Sequence, residues 1–218
     1  MSDTPRIEVS RRGFLKGAGL TAATTVLDTA SAIAHDTHDA AKGSAVLGPA
    51  AVPIKLHING QEHAVTVEPR YTLAETLRDQ LNLTGTKVVC DRGSCSACTI
   101  WVNGTPQLAC MTLAIDAVGH KITTIEGLSR GDQLHPIQAA FIKHDALQCG
   151  FCTPGMAMSC AALLERNPKP TLADVKHAVS GNLCRCGTYP KVFAATLDVA
   201  QNGNKTARLL DPNPAQEG

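Results

Sequence analysis

Between Val52 and Val67 apolar and polar positions alternate. Ile54, Leu56 and Ile58 are separated by polar residues, Asn59-Gly60 follows, and Ala64-Val65-Thr66-Val67 resumes the pattern. A period of two interrupted by Asn-Gly is a β-hairpin with a type I′ turn, whose two central residues both need positive φ. Pro69 stops the second strand. Thr72 and Glu75 then form a capping box for a helix with an apolar stripe of Leu73, Leu77 and Leu81. Two strands and a crossing helix open a ubiquitin-like β-grasp. Alternation returns at Thr99-Ile100-Trp101-Val102, turns at a second Asn-Gly (Asn103-Gly104), and closes with a last strand over Ile122-Thr123-Thr124-Ile125.

Past that strand the period becomes helical. Pro136 to His144 carries Ile137, Phe141 and Ile142, and Thr153-Pro154 opens a helix through Met156, Met158, Ala161, Leu163 and Leu164. Pro168 and Pro170 break it. Thr171 with Asp174 starts a third helix through Val175 and Val179, and Val192 to Val199 makes a fourth. The fold class is therefore α+β, an N-terminal β-grasp followed by a four-helix domain. The whole is 44% hydrophobic but only 3% aromatic, so small side chains must do the packing. A formal charge of +1 excludes a phosphate-seeking surface and with it nucleic acid.

Ahead of the hairpin the chain reads as an address. Ser10-Arg11-Arg12-Gly13-Phe14-Leu15-Lys16 has the form of a twin-arginine export motif, and a weakly apolar stretch from Gly17 to Ala34 follows, interrupted by Asp28. That charge and modest hydrophobicity exclude a membrane span. Ala32-Ile33-Ala34 offers a cleavage site. The bland alternative is an amphipathic surface helix, which does not account for the order of arginines, apolar stretch and cleavage site. The chain thus divides into a signal peptide (1–34), a linker (35–51), a ferredoxin-like domain (52–130), a helical domain (131–204) and a tail (205–218). Export implies a periplasmic protein. Because the twin-arginine route carries folded chains, a cofactor can be installed in the reducing cytoplasm, which weakens a disulfide reading of the cysteines.

Nine cysteines remain to be explained. Cys90, Cys95 and Cys98, with Cys110 further on, have the C-x4-C-x2-C…C spacing of a plant-type 2Fe–2S ferredoxin. Gly93, Ser94, Ser96 and Ala97 keep that loop small enough for backbone N–H groups to face the sulfides. Zinc is the competing reading, but its sites usually show two matching hooks. A Rieske centre is excluded because no Cys-x-His pair exists. Cys149 and Cys152 lie at one junction between helices, Cys184 and Cys186 at another. A C-x-C spacer strains a closed tetrahedral zinc site and suits a second 2Fe–2S cluster, two thiolates to each iron. Cys160 reads as a buried inert thiol, and the eight histidines lack ligand spacing and read as surface.

Gln148-Cys149-Gly150-Phe151-Cys152-Thr153-Pro154-Gly155 and Gly181-Asn182-Leu183-Cys184-Arg185-Cys186 resemble the second-cluster signatures of the xanthine oxidase (molybdenum hydroxylase) family. The first cysteine group, followed by Thr123-Thr124-Ile125-Glu126-Gly127-Leu128, resembles that family's ferredoxin-type domain, and the likeness covers roughly residues 53 to 200. With the export motif, the likeness is to periplasmic aldehyde oxidoreductases. Two departures stand out: Ser96-Ala97 where Gly-Ala is common, and Gly187-Thr188-Tyr189 where Thr-Gly-Tyr is common. The second is shared with some two-subunit N-heterocycle oxidoreductases that lack flavin. The resemblance implies an electron-transfer subunit whose molybdenum–pterin cofactor sits on a large partner. It implies that Gln148 and Cys149 approach the pterin, and that Arg185 tunes cluster charge or meets the partner. The resemblance also implies FAD on another partner subunit, or a cytochrome, as the onward acceptor. It implies that the second cluster lies nearest molybdenum and the first nearest the exit, and that the substrates are aldehydes or N-heterocycles. A free-standing electron carrier is the alternative outside this family.

Overall fold

A computed structural model describes residues 47–203. The export signal with its cleavage site, the linker up to residue 46 and the C-terminal tail lie outside the described residues. The hairpin pairs β1 (Val52–Ile58) with β2 (Gln61–Val67), antiparallel from Ile58↔Gln61 to Val52↔Val67. Asn59 at φ 51° and Gly60 at φ 81° make the expected type I′ turn. β3 (Thr99–Val102), β4 (Thr105–Leu108) and β5 (Lys121–Thr123) complete a sheet in the order β2-β1-β5-β3-β4. The β1–β5 pair is parallel, and a helix crosses the sheet between β2 and β3, as in a β-grasp. That helix starts with an α turn, α1 (Leu73–Glu75), under the Thr72–Glu75 capping box. It then widens to a π turn over Thr76–Gln80, which the spacing of leucines did not foretell.

The last strand stops two residues sooner than its apolar pattern suggests. Thr124 is held by Asn59 of the hairpin turn: its N–H donates to Asn59 Oδ1 at 2.9 Å, and its Oγ1 accepts from Asn59 Nδ2 at 3.0 Å. The chain turns there into a 3-10 segment, Ile125–Leu128. Glu126 reaches on to accept the Gly85 N–H at 2.7 Å. Gly127 lies so close to the turn that a Cβ would sit 2.1 Å from Asn59 Oδ1.

The helices are α2 (Pro136–Lys143), α3 (Thr153–Arg166), α4 (Leu172–Ala178) and α5 (Tyr189–Asp198), the last continuing as a π turn to Gly203. Gly155 to Leu164 of α3 are all buried. A helix apolar all round must be covered all round, here by the sheet on one flank and helices on the other. α5 begins at Tyr189 rather than Val192, because Pro190 sits in its first turn, where a missing N–H costs nothing. On α2, Ile137 and Phe141 face inward as expected, while Ile142 is exposed. Among the described residues no helix is long and apolar enough to cross a membrane.

Two hydrophobic cores result, one under the sheet and one among the helices. β3 serves both. Ile100 faces the sheet core and the next residue, Trp101, faces the helical core, as alternation along a strand requires. Trp101 Nε1–H donates to the Met158 carbonyl of α3 at 3.0 Å, so one side chain stitches sheet to helix.

Candidate functional site

The first cysteine loop is coiled by its backbone. Asp91, Gly93 and Ser96 all have positive φ, which curls residues 90 to 98 into a tight arc. The Ser94 N–H donates to Cys90 Sγ at 3.2 Å. Backbone N–H groups from Arg92 onward and the nearby Cys95 thiol lower Cys90 to about 7. The Ala109 N–H bonds the Cys98 carbonyl at 3.2 Å, which carries Cys110 back beside Cys98. Burial pushes the Cys98 thiol up to about 12, and the Cys110 and Cys95 thiols beside it add to that. The structure thus brings Cys90, Cys95, Cys98 and Cys110 together, paired 90 with 95 and 98 with 110.

A second set forms where α3 and α5 begin. Cys152 is the N-cap residue of α3, so the positive end of a 14-residue helix faces the site. Burial pushes Cys152 up to about 12, with the Cys184 and Cys149 thiols beside it contributing. Burial also pushes Cys184 up, but the Thr188 hydroxyl and N–H and the Cys152 thiol outweigh it and bring Cys184 to about 7. Thr188 Oγ1 lies 3.3 Å from Cys184 Sγ. Tyr189 fixes the same loop: its hydroxyl accepts the Cys184 N–H at 2.8 Å and donates to the Asn182 carbonyl at 3.0 Å. A backbone N–H at Cys149 draws Cys186 down, but the Cys149 thiol outweighs it and the net shift is upward. Here too four thiols converge, paired 152 with 184 and 149 with 186.

This donor set fits a two-iron cluster, since each iron takes two thiolates and the loops present the thiols in pairs. Buried thiols held at about 12 stay protonated at neutral pH, so a metal must displace their protons. Thr153 supplies a further sign of fit. Its hydroxyl is buried without a partner one residue after Cys152, a donor free for a cluster sulfur.

Comparison with known proteins agrees with this geometry. Residues 56–115 match the 2Fe-2S iron-sulfur cluster binding domain family, and residues 124–197 match the 2Fe-2S binding domain family. The chain is 42% identical over 209 residues to the aldehyde oxidoreductase iron-sulfur-binding subunit PaoA of Escherichia coli strain K12, covering 89% of each chain. It is 49% identical to the nicotine 6-hydroxylase small subunit of Paenarthrobacter nicotinovorans, over 71% of this chain and 93% of that one. The structure of quinoline 2-oxidoreductase from Pseudomonas putida 86 superposes with a TM-score of 0.68 at 44% identity, over 71% of this chain and 97% of that one. The chain is an iron–sulfur subunit of the molybdenum hydroxylase family. Residues 8–27 match the twin-arginine translocation signal sequence, which directs this electron-transfer subunit to the periplasm.

Within the iron–sulfur subunit, one of the two departures from the common motif acquires a reason. Gly187 has φ 76°, which a threonine there would adopt only with strain, and the shifted Thr188 lays its hydroxyl on Cys184. Ser96 occupies a left-handed position, φ 54°, that glycine fills without cost. Cys160 is fully buried and raised to about 12 by that burial, as an inert thiol should be. Gln148 and Arg185 are exposed. Gln148 caps no helix, since α2 is capped by His135 and α3 by Cys152. The reading of all histidines as surface needs correction at two. His135 Nδ1 accepts the Ile137 N–H at 3.3 Å as the N-cap of α2, and His144 Nε2 meets Asp198 Oδ2 at 2.9 Å. Sequence reasoning placed Asn182, Thr188 and Tyr189 within or beside the Cys184 motif but assigned none of them the role of holding the Cys184 loop.

Proposed function

We propose that Cys90, Cys95, Cys98 and Cys110 ligate one 2Fe–2S cluster and Cys149, Cys152, Cys184 and Cys186 a second, between a molybdenum-bearing large subunit and an outside acceptor. The observation that carries this is the sorting of eight of the nine cysteines into two converging groups, each built of two pairs. When bound, each cluster supplies a carrier of one electron at a time. The chain does the rest. Its backbone N–H groups at Cys90, the Thr188 and Thr153 hydroxyls and the N-terminus of α3 offset the negative charge of thiolates and sulfides. Its sheet and helices keep water from Cys95, Cys98 and Cys110.

The partner side is argued from the surface. Leu147, Phe151 and Leu183 are exposed apolar residues beside Cys149 and Cys184, with Gln148 and Arg185 among them. Such a collar at an open thiol site favours burial against the large subunit. There the free Gln148 amide offers both a donor and an acceptor to the pterin. Val89 and Met111, exposed beside the first loop, form the corresponding exit edge toward a flavin subunit or cytochrome. Aldehyde oxidation is the favoured overall reaction, since the likeness to the aldehyde oxidoreductase subunit spans 89% of this chain. An N-heterocycle substrate is the second reading, favoured by the 49% identity to the nicotine 6-hydroxylase subunit. Metal and sulfide analysis of the purified subunit should give two clusters' worth of iron and acid-labile sulfide, and reduction should yield two distinct electron paramagnetic resonance signals. Zinc in place of iron, or one signal at full reduction, would overturn the assignment. Turnover of aromatic aldehydes against quinoline by the intact complex separates the two substrate readings.

A further inference from the structure

The two cysteine loops touch each other. The Leu183 N–H donates to the Cys95 carbonyl at 3.0 Å, and Leu183 immediately precedes Cys184. One hydrogen bond therefore joins the main chain of a first-site cysteine to the main chain beside a second-site cysteine. The contact is packed more tightly than side chains would permit. A Cβ on Gly155 would lie 2.2 Å from the Ser96 carbonyl oxygen, and one on Gly181 would lie 3.1 Å from Ser96 Oγ.

The residue that closes this seam is Asn182. It is 3% exposed, and its Nδ2 donates to the Ser96 carbonyl at 3.0 Å, across 86 residues of sequence. That carbonyl also accepts from Thr99 Oγ1 at 2.8 Å, and together these donors hold Ser96 in its left-handed conformation. Asn182 is itself pinned from behind: its N–H bonds the Val179 carbonyl at the end of α4, and its carbonyl accepts from Tyr189.

We propose that Asn182 is a positioning residue for electron passage between the two sites, holding the Leu183 N–H on the Cys95 carbonyl so that this hydrogen bond is the crossing point. The route runs from Cys184 through the Leu183 peptide, over the hydrogen bond, to Cys95. Electronic coupling falls off more slowly along bonds than across gaps, and this path contains no gap wider than a hydrogen bond. With both sites loaded, each crossing would oxidise the cluster held by Cys152 and Cys184 by one electron and reduce the cluster held by Cys90 and Cys95 by one, with no proton or atom transferred. The inference rests on the ligand assignment proposed above.

The test uses the intact complex carrying Asn182→Ala, with Asn182→Leu as an uncharged second variant of similar size that lacks the donor. Iron content and both midpoint potentials should match the unmodified protein. Deuterium exchange in the peptide carrying Leu183 should accelerate. Electron equilibration between the two sites, started by a flash and followed through their separate spectra, should slow several-fold. An unchanged equilibration rate alongside faster exchange would overturn the crossing point, and unchanged exchange would overturn the role of Asn182. Loss of iron or a shifted potential in both variants would make Asn182 merely structural and also overturn the proposal. Failure of the ligand assignment would show differently, as missing iron in the unmodified protein.

Discussion

At the first thiol site Cys95, Cys98 and Cys110 are 8%, 3% and 6% exposed, and the last two belong to the sheet core. At the second site only Cys152 is buried, while Cys149 and Cys186 stand open to solvent. Donor chemistry is the same in both, so the difference lies in what closes each site. The first is folded into its domain by a loop that curls on itself and a strand that returns. The second is assembled from the ends of helices, and its outer half is faced by Leu147, Phe151 and Leu183 rather than covered. The first site is thus largely enclosed by its own domain, whereas the second leaves its outer half facing outward.

The largest effect this contrast predicts is in resistance to chelation. Iron must leave through the exposed thiols, so a chelator added to the isolated subunit should strip the second site well before the first. Following the two paramagnetic signals over time checks this, and loss of the first-site signal at an equal or faster rate would break the contrast. Adding the large subunit should protect the second site selectively.

A change at the seam, by contrast, should strike both sites together. Gly155→Ala forces a methyl against the Ser96 carbonyl oxygen, which a Cβ would approach to 2.2 Å. Backbone on both sides leaves little room to yield, so the cost should be roughly 1–3 kcal/mol, or several degrees in Tm. Thermal melting measures it. A melt equal to that of the unmodified protein would show that the loops are not pressed together. Next in size is Trp101→Phe, which removes the Nε1–H donated to Met158 and should cost roughly 1–2 kcal/mol. The Met158 carbonyl keeps its helical position, so the loss stays modest. It should appear as a lower Tm with both clusters retained.

How much of this was legible beforehand follows from the range of each interaction. The hairpin, the capping boxes at Thr72 and Thr171 and the two cysteine groups are local patterns, and the structure reproduces their elements. The early end of β5 depends on Asn59, 65 residues away, and the Asn182–Ser96 clamp spans 86, so no window of sequence displays them. Trp101 reads as an ordinary strand residue, because alternation tells that it faces away from Ile100 but not that a second core lies there. His135 caps α2 although a ring nitrogen is an uncommon cap, and residue-type preference pointed elsewhere. The grouping of the cysteines was legible because metal chemistry constrains spacing. The residues that hold the cysteine loops carry no such constraint.

The smallest predicted effect lies in the helical domain alone. Asp198 at the end of α5 accepts from Lys143 Nζ at 2.7 Å and meets His144 Nε2 at 2.9 Å, tying α5 to the end of α2. Lys143 first, then His144 and Asn202, hold its carboxyl well below the usual carboxylate range. A group whose pKa is lowered by folding contributes stability above its unfolded pKa, about 3.9, and loses that contribution as pH falls toward the folded value. Asp198→Asn should therefore lower the Tm of the helical domain slightly at pH values above the carboxylate range. Because Lys143 is largely exposed, added salt should shrink the difference. The sheet domain should be indifferent, since its charged pairs Lys55–Glu62 and Arg70–Glu68 lie at its surface and tie no helix. Paired melts of the two proteins at matched pH and salt provide the measurement. A difference that vanished between neutral pH and pH values still above the carboxylate range would show that Asp198 does not carry the tie through its charge.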